Sequence, residues 1–374
     1  MSEKEKTVLA FEITSGRLLE GLKQVAGVIE NAQVMQILSC VKITLYPGKL
    51  VLLASDSDIQ ISAVVEDEQL SVDGAMSVAV PGKKLLEICR SLPADERIQF
   101  AQYGHWLEVK ARRTQFKLAT MNYQDFPEYV VDSGQRFSIP AKDLIPALSQ
   151  TVFAMAIHDV RQFLNGLLID VTTDTIRFVA TDSHRLGMYQ IASTAHESIR
   201  LILPRKATLE LQKLMRYGSE DVNFICTDKM VSFESGSFIL SSSLIAGAYP
   251  DYNRLIPKGE LAKCALSTDA LKSALNRAAI LSQDRFKSVR LKFANKELTL
   301  FADNSHNEQV QESVPVFDLN HEGQIAFNLN YLLDVLNVID AENVEINFGE
   351  SKQAVLIRSD SSSPALFIIM PLTL

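Results

Sequence analysis

The sequence predicts an α+β protein made of three copies of one domain, each with two helices and about eight strands. Two recurrences and one set of matched strands predict it. Ile13-Thr-Ser-Gly-Arg-Leu18-Leu-Glu-Gly-Leu22 returns after 126 residues as Ile139-Pro-Ala-Lys-Asp-Leu144-Ile-Pro-Ala-Leu148. It returns again, 127 residues further on, as Leu266-Ser-Thr-Asp-Ala-Leu271-Lys-Ser-Ala-Leu275. A second anchor, Pro81-Gly-Lys-Lys-Leu-Leu86-Glu87-Ile88, matches Pro204-Arg-Lys-Ala-Thr-Leu209-Glu210-Leu211 and Asn328-Leu-Asn-Tyr-Leu-Leu333-Asp334-Val335, at spacings of 123 and 124. Two independent anchors thus share one long period, far longer than that of a solenoid.

Each copy opens with a short strand, a small or polar capping residue and a helix with leucines four apart on one face. The first helix of each copy is expected over 15–30, 141–157 and 268–281. The second is expected over 82–92, 205–217 and 328–340. Between them lie β runs, the best matched being Leu50–Asp56, Ile176–Asp182 and Leu298–Asp303. Each is followed by the step Ala-(Ser/Thr/Asp)-(Asp/Asn)-Ser, which reads as a polar turn. Asp125-Phe-Pro-Glu-Tyr129 and Ala248-Tyr-Pro-Asp-Tyr252 close the first two copies. Proline cannot donate in a ladder, so both read as strand exits and linkers. The domains are expected at 1–130, 131–255 and 256–374. Six half-repeats with helices on one face of successive sheets predict a curved molecule. Two arcs with helices inside and sheets outside can close a two-fold ring.

Charge sharpens this expectation. The chain has 374 residues, 37 Lys+Arg and 45 Asp+Glu, a net charge of −8. That excludes the simplest nucleic-acid binder, a small strongly basic domain. The six expected helices nevertheless sum to +4, leaving −12 for the remainder. A basic inner face and an acidic outer one suit an anionic polymer in the bore. The plainer reading is that Lys and Arg are good helix formers, and the 328–340 helix, at −2, sides with it. The four cysteines, Cys40, Cys89, Cys226 and Cys264, have no metal-ribbon spacing and are expected to be free thiols. No signal-peptide core and no apolar run of about 18 residues is visible, so a cytoplasmic protein is expected.

Several strings, in register with the repeat, carry a resemblance. These are Asp159-Val-Arg-Gln-Phe-Leu-Asn165-Gly, Ala180-Thr-Asp-Ser-His-Arg-Leu186, Leu203-Pro-Arg-Lys206 and Tyr249-Pro-Asp-Tyr-Asn-Arg-Leu255. Phe327-Asn-Leu-Asn-Tyr-Leu-Leu-Asp-Val-Leu-Asn337 and Ile369-Met-Pro-Leu372 complete them. With these the chain resembles, from Phe11 to Leu374, the bacterial DNA polymerase III β subunit family, the replication sliding clamps. The resemblance implies a head-to-tail homodimeric ring around duplex DNA, with no catalytic residues and no cofactor. It implies tethering of the replicative polymerase α subunit, and recruitment of the clamp loader, other polymerases and repair proteins through short linear peptides.

The resemblance also assigns residues. A peptide pocket is implied at Leu164, Thr181, Ser183, His184, Arg185, Leu186, Pro250, Arg254, Leu255, Ile368, Ile369, Met370, Pro371 and Leu372. An adaptable aliphatic slot with a polar rim suits a short peptide. The ring interface is implied at Phe116 and Leu118 on one side and Ile280 and Leu281 on the other. DNA-facing positions are implied at Lys83, Lys84, His158, Arg161, Arg205 and Lys206. Ala32 stands where the family commonly has a DNA-touching Arg, and Thr373 stands where it usually has Arg.

Other readings are weaker. Asp182, Ser183 and His184 invite a catalytic triad, but consecutive extended residues point to opposite faces and do not converge. No Walker A, GxGxxG, HExxH or GxSxG motif occurs, and no two of the six histidines lie closer than 12 residues. A scaffold without nucleic acid, built on the same repeat, is the remaining alternative.

Overall fold

The structure, a computed structural model, describes residues 7–30, 35–72, 74–193, 195, 197–281, 287–349 and 353–373. The first repeat contains β1 (Thr7–Thr14), α1 (Ser15–Val25), β2 (Cys40–Tyr46), β3 (Lys49–Ser55) and β4 (Ile59–Glu66). It continues with β5 (Met76–Pro81), α2 (Gly82–Arg90), β6 (Arg97–Tyr103), β7 (Trp106–Ala111) and β8 (Thr114–Ala119). The same order recurs in β9 (Gln135–Pro140), α3 (Ala141–Ser149), β10 (Gly166–Val171), β11 (Thr175–Thr181) and β12 (Arg185–Ala192). Then come β13 (Ile199–Pro204), α4 (Arg205–Leu214), β14 (Asp221–Cys226), β15 (Met230–Ser235) and β16 (Phe238–Ser243). The third copy has β17 (Ala262–Ser267), α5 (Thr268–Leu281), β18 (Ser288–Ala294), β19 (Glu297–Asp303) and β20 (Gln309–Leu319). It ends with β21 (Gly323–Asn328), α6 (Leu329–Val338), β22 (Asn343–Phe348), β23 (Val355–Arg358) and β24 (Ala365–Ile369).

Packing groups these elements into two compact units, 1–141 with 210–244, and 142–209 with 245–374. The first holds a four-stranded sheet, β1-β6-β7-β8, and an eight-stranded sheet, β5-β2-β3-β4-β16-β15-β14-β9. The second holds a twelve-stranded sheet, β13-β10-β11-β12-β24-β23-β22-β17-β20-β19-β18-β21. The named strand pairs are all antiparallel. Repeats therefore join edge to edge. β4 pairs with β16 from Phe238↔Ala63 to Ser242↔Ile59, and β12 pairs with β24 from Arg185↔Ile369 to Tyr189↔Ala365.

The matched polar steps form similar turns three times, the third one residue wider. The side-chain oxygen of Asp56 accepts the amides of Asp58 and Ile59 (3.1 and 2.8 Å). Asp182 does the same for His184 and Arg185 (2.9 and 3.0 Å), and Asn304 for His306 and Glu308 (both 3.0 Å). A short Asp or Asn side chain mimics a backbone carbonyl at such a bend, which explains the recurrence.

The first helices meet the expected capping only in part: Ser267 Oγ accepts the amide of Ala270 at the start of α5 (3.3 Å). Thr14 makes no side-chain cap. Instead the leading amides of α1, α3 and α5 donate to distant backbone carbonyls: Ser15 to Glu96 (2.7 Å), Ala141 to Glu220 (2.7 Å) and Thr268 to Glu342 (2.9 Å). Orphan helix donors can be met by any suitably placed acceptor, and here a loop of the same repeat supplies it. The α3 segment also ends at Ser149 rather than near 157. Pro146 lies inside it, and the hydroxyls of Ser149 and Thr151 donate back to the carbonyls of Pro146 (3.1 Å) and Ala147 (2.6 Å). The chain then turns through a 3-10 segment, Val152–Ala154.

Helix α1 buries Leu18, Leu22 and Val25 and sits on β4. Gly21 makes that approach possible, since a Cβ there meets Val65 Cγ2 at 2.4 Å and Leu52 Cδ1 at 2.8 Å. Alanine gains about 1 kcal/mol in helix propensity, but overpacking costs about 1–3 kcal/mol. Gly21→Ala is therefore expected to lower the thermal midpoint; a higher midpoint would show that the sheet yields freely. All four cysteines are buried free thiols, and burial pushes Cys89, Cys226 and Cys264 up to about 12. Such thiols stay protonated and inert at neutral pH.

Candidate functional site

The turn between β11 and β12 organises the site in the second unit. Thr181 Oγ1 donates to the carbonyl of Arg185 (2.6 Å) and accepts the amide of Ser183 (3.1 Å). Ser183 sits at φ 77°, a region few non-glycine residues adopt. The side chains of Thr181 and Asp182, which precede it, hold it there by accepting the amides of Ser183, His184 and Arg185. Asp182 spends its carboxylate on this turn and on Arg185 Nε (3.1 Å). His184 stacks on Tyr331, with centroids 6.1 Å apart. No triad forms among these residues, and no group of three metal-ligating side chains occurs among the described residues.

Beneath the turn lies an apolar cluster. Leu186 and Met188 share one face of β12, as a period of two requires. Ile368 pairs with Leu186 across β12·β24, and Leu356 pairs with Ile368. Leu168, Val179, Ile202, Tyr249 and Tyr252 complete the buried set, with Phe163 and Leu366 against it. Leu164 is buried beside Phe163 in the 3-10 turn Gln162–Asn165. Ile369, the next residue after Ile368, alternates to the other face and is fully buried. The rim is exposed and apolar: Pro250, Leu255, Met370 (37% exposed) and Leu372 (41%), with Pro371 partly covered. The tail is fixed by its backbone, Met370 N–H to the His184 carbonyl and Leu372 N–H to that of Ala326 (both 2.8 Å). Tyr252 Oη donates to Asp170 (3.0 Å), anchoring the linker that carries Arg254, itself paired with Asp251 (3.1 Å). Thr373 is exposed and offers no charge.

Arg185 is more committed than its sequence position suggests. It pairs with Asp182 and with Asp334 of α6, 149 residues away, and donates to the Phe153 carbonyl (2.9 Å). Its guanidinium lies over the rings of Tyr331 (4.7 Å) and Phe153 (5.3 Å). It joins repeats two and three rather than offering a free cation. Tyr331 and Asp334 were absent from the residues read as the pocket. Only the α6 register brings them here.

The basic positions divide. Lys83 and Lys84 are exposed in the first turn of α2. Arg161 is held by both oxygens of Asp159 (2.9 and 2.8 Å), and that arginine pulls the Asp159 carboxyl down to about 2. Asn165 clamps the same loop at both the amide and the carbonyl of Asp159 (2.9 and 2.8 Å). His158, at φ 58°, and Val160, 91% exposed, project from it. Arg205 donates to the Met155 carbonyl (3.1 Å), and burial lowers its pKa. Lys206 is partly buried, and Ala32 lies outside the described residues. Phe116 and Leu118 lie on β8, an edge strand of the four-stranded sheet. Ile280, 66% exposed, and Leu281 end α5.

Three family models cover the chain in order. They describe the N-terminal, central and C-terminal domains of the DNA polymerase III beta subunit, and match residues 9–130, 138–251 and 253–373. The chain belongs to the DNA polymerase III beta subunit family. The beta sliding clamp of Pseudomonas aeruginosa is 34% identical over 367 residues, covering 97% of this chain and all of the relative. That of Escherichia coli K12 is 32% identical over 370 residues, covering 98% and all of the relative. A crystal structure of the P. aeruginosa clamp bound to griselimycin superposes with a TM-score of 0.91 at 34% identity, covering 98% of this chain and 99% of that one. The Caulobacter crescentus clamp gives 0.88 at 28% identity, covering 98% and 100%. Beta sliding clamps are processivity factors rather than enzymes, which accords with a site made of aliphatic side chains and saturated charges.

Proposed function

We propose that two copies of this chain close head to tail into a ring around duplex DNA in the cytoplasm, tethering the replicative polymerase without reading sequence. The three domains are 1–130, 131–255 and 256–374. β8, with Phe116 and Leu118, meets the α5 end, with Ile280 and Leu281, of the second copy. The apolar cluster under Leu186 and Ile368, rimmed by Leu255, Met370 and Leu372, takes a short peptide from the polymerase α subunit, the clamp loader, other polymerases or repair proteins. Membership of the clamp family along the whole chain carries this reading. Charge supports it. Arg161 and Arg205 are already satisfied within the protein, while Lys83 and Lys84 are exposed. Few phosphate contacts release few counterions, which keeps binding loose enough to slide.

The test is topological. After loading onto nicked circular DNA the protein is expected to stay bound through gel filtration, and to be lost within minutes once that DNA is linearised. Equal retention on circular and linear DNA would rule out encirclement.

A further inference from the structure

The junction of repeats one and two, inside the first compact unit, is built like the junction of repeats two and three, inside the second. β4 meets β16 as β12 meets β24. Gln60 lies 126 residues before Leu186, and Ser62 the same distance before Met188. Ser241 is the register partner of Gln60, as Ile368 is of Leu186. Ser232 is the partner of Ser241, as Leu356 is of Ile368. The linker repeats as well, Phe126 and Tyr129 standing for Tyr249 and Tyr252. At this place a cleft of about 420 Å³ opens, and Gln60, Ser62, Ser232, Ser241 and Tyr129 are among its walls. Four large apolar residues of the peptide cluster are thus replaced by one amide and three hydroxyls.

Three of these polar groups already have partners within the protein. Ser232 Oγ and Ser241 Oγ are hydrogen-bonded (3.2 Å). Gln60 grips the linker at both ends of one residue: Nε2 donates to the Tyr129 carbonyl (3.0 Å), and Oε1 accepts its amide (3.3 Å). Leu186 cannot do this for Tyr252, which is anchored through its hydroxyl instead. An aliphatic anchor entering the cleft takes water from the donor and acceptor sites that these bonds leave open and gives nothing back, and a polar group left unsatisfied is penalised more than a made bond rewards. Repulsive chemistry of this kind is how a site rejects a ligand that its shape admits.

We propose that the cleft is the structural twin of the peptide pocket, made polar, and that Gln60, Ser62, Ser232 and Ser241 limit each chain to one partner peptide. This rests on the peptide-binding reading of the second unit. The probe is a fluorescein-labelled hexapeptide carrying two leucines and one phenylalanine, titrated calorimetrically into the full chain. The unaltered protein is expected to bind one peptide per chain. The variant Gln60→Leu, Ser62→Met, Ser232→Leu, Ser241→Ile is expected to bind two, the second site surviving Met370→Ala with Leu372→Ala. The unaltered chain is expected to keep to one peptide even when the peptide is raised to roughly 100 times the pocket's dissociation constant. That measurement stands whether or not the fourfold variant folds. Two peptides on the unaltered chain, or one peptide on a folded fourfold variant, each overturn the twin alone. No binding to the unaltered chain removes the peptide reading, and the proposal with it.

Discussion

Ile280→Arg is expected to convert the dimer to monomers in sedimentation equilibrium. Ile280 is 66% exposed within one chain, at the end of a helix that buries Leu271, Ala274, Leu275 and Ala278. The proposed ring places the second copy over it. If the second copy covers it, an arginine there is desolvated without a partner, which costs about 3–5 kcal/mol. At 1.4 kcal/mol per tenfold, the dimer weakens by roughly 10²–10⁴. Arg277, three residues earlier, is itself a cation and offers the new arginine no counter-charge. Because the position is exposed in the single chain, the circular dichroism spectrum is expected not to change. A variant that stays dimeric at the concentrations where the parent does would remove Ile280 from the interface.

The second large effect is expected at the peptide site. Met370→Ala with Leu372→Ala is expected to weaken peptide binding about 100-fold while leaving the dimer intact. Both side chains are partly exposed and sit on a tail fixed by two backbone hydrogen bonds, so the substitutions leave the tail in place. If the peptide covers both side chains, each truncation costs about 1.4 kcal/mol, and two such losses give roughly two decades. Fluorescence anisotropy reads the affinity, and sedimentation reads the dimer. Unchanged affinity would exclude both residues from the site.

Most of the architecture is legible in the sequence because it is written three times. A single leucine pair or polar turn is weak, but Asp56, Asp182 and Asn304 make similar turns at one place in each repeat. Helix limits are less legible. The early end of α3 follows from Pro146 and two hydroxyls that bond backwards, a signal present but local. Helix capping is legible only where a side chain does it, as Asn328 does for α6 and Ser267 for α5; the backbone acceptors such as Glu96 carry no side-chain signature. Arg185 shows the same limit at the site. Its link to Asp182 is three residues long and readable, whereas its links to Asp334 and Tyr331 exist only once β12 lies beside β24. The Asp159–Arg161 pair, two residues apart, was within reach of a charge-pattern reading.

The edge-to-edge joints also bear on how the chain is made. Ala63 pairs with Phe238 and Met188 with Leu366, partners 175 and 178 residues apart. At a synthesis rate of about 5–20 residues per second, each edge waits roughly 9–36 s for its partner to leave the ribosome. During that time β4 and then β12 present unpaired amides and carbonyls, the kind of edge that recruits stray strands. The joints that make each sheet continuous in the finished protein are therefore its longest exposures during birth, and translation speed sets how long they last.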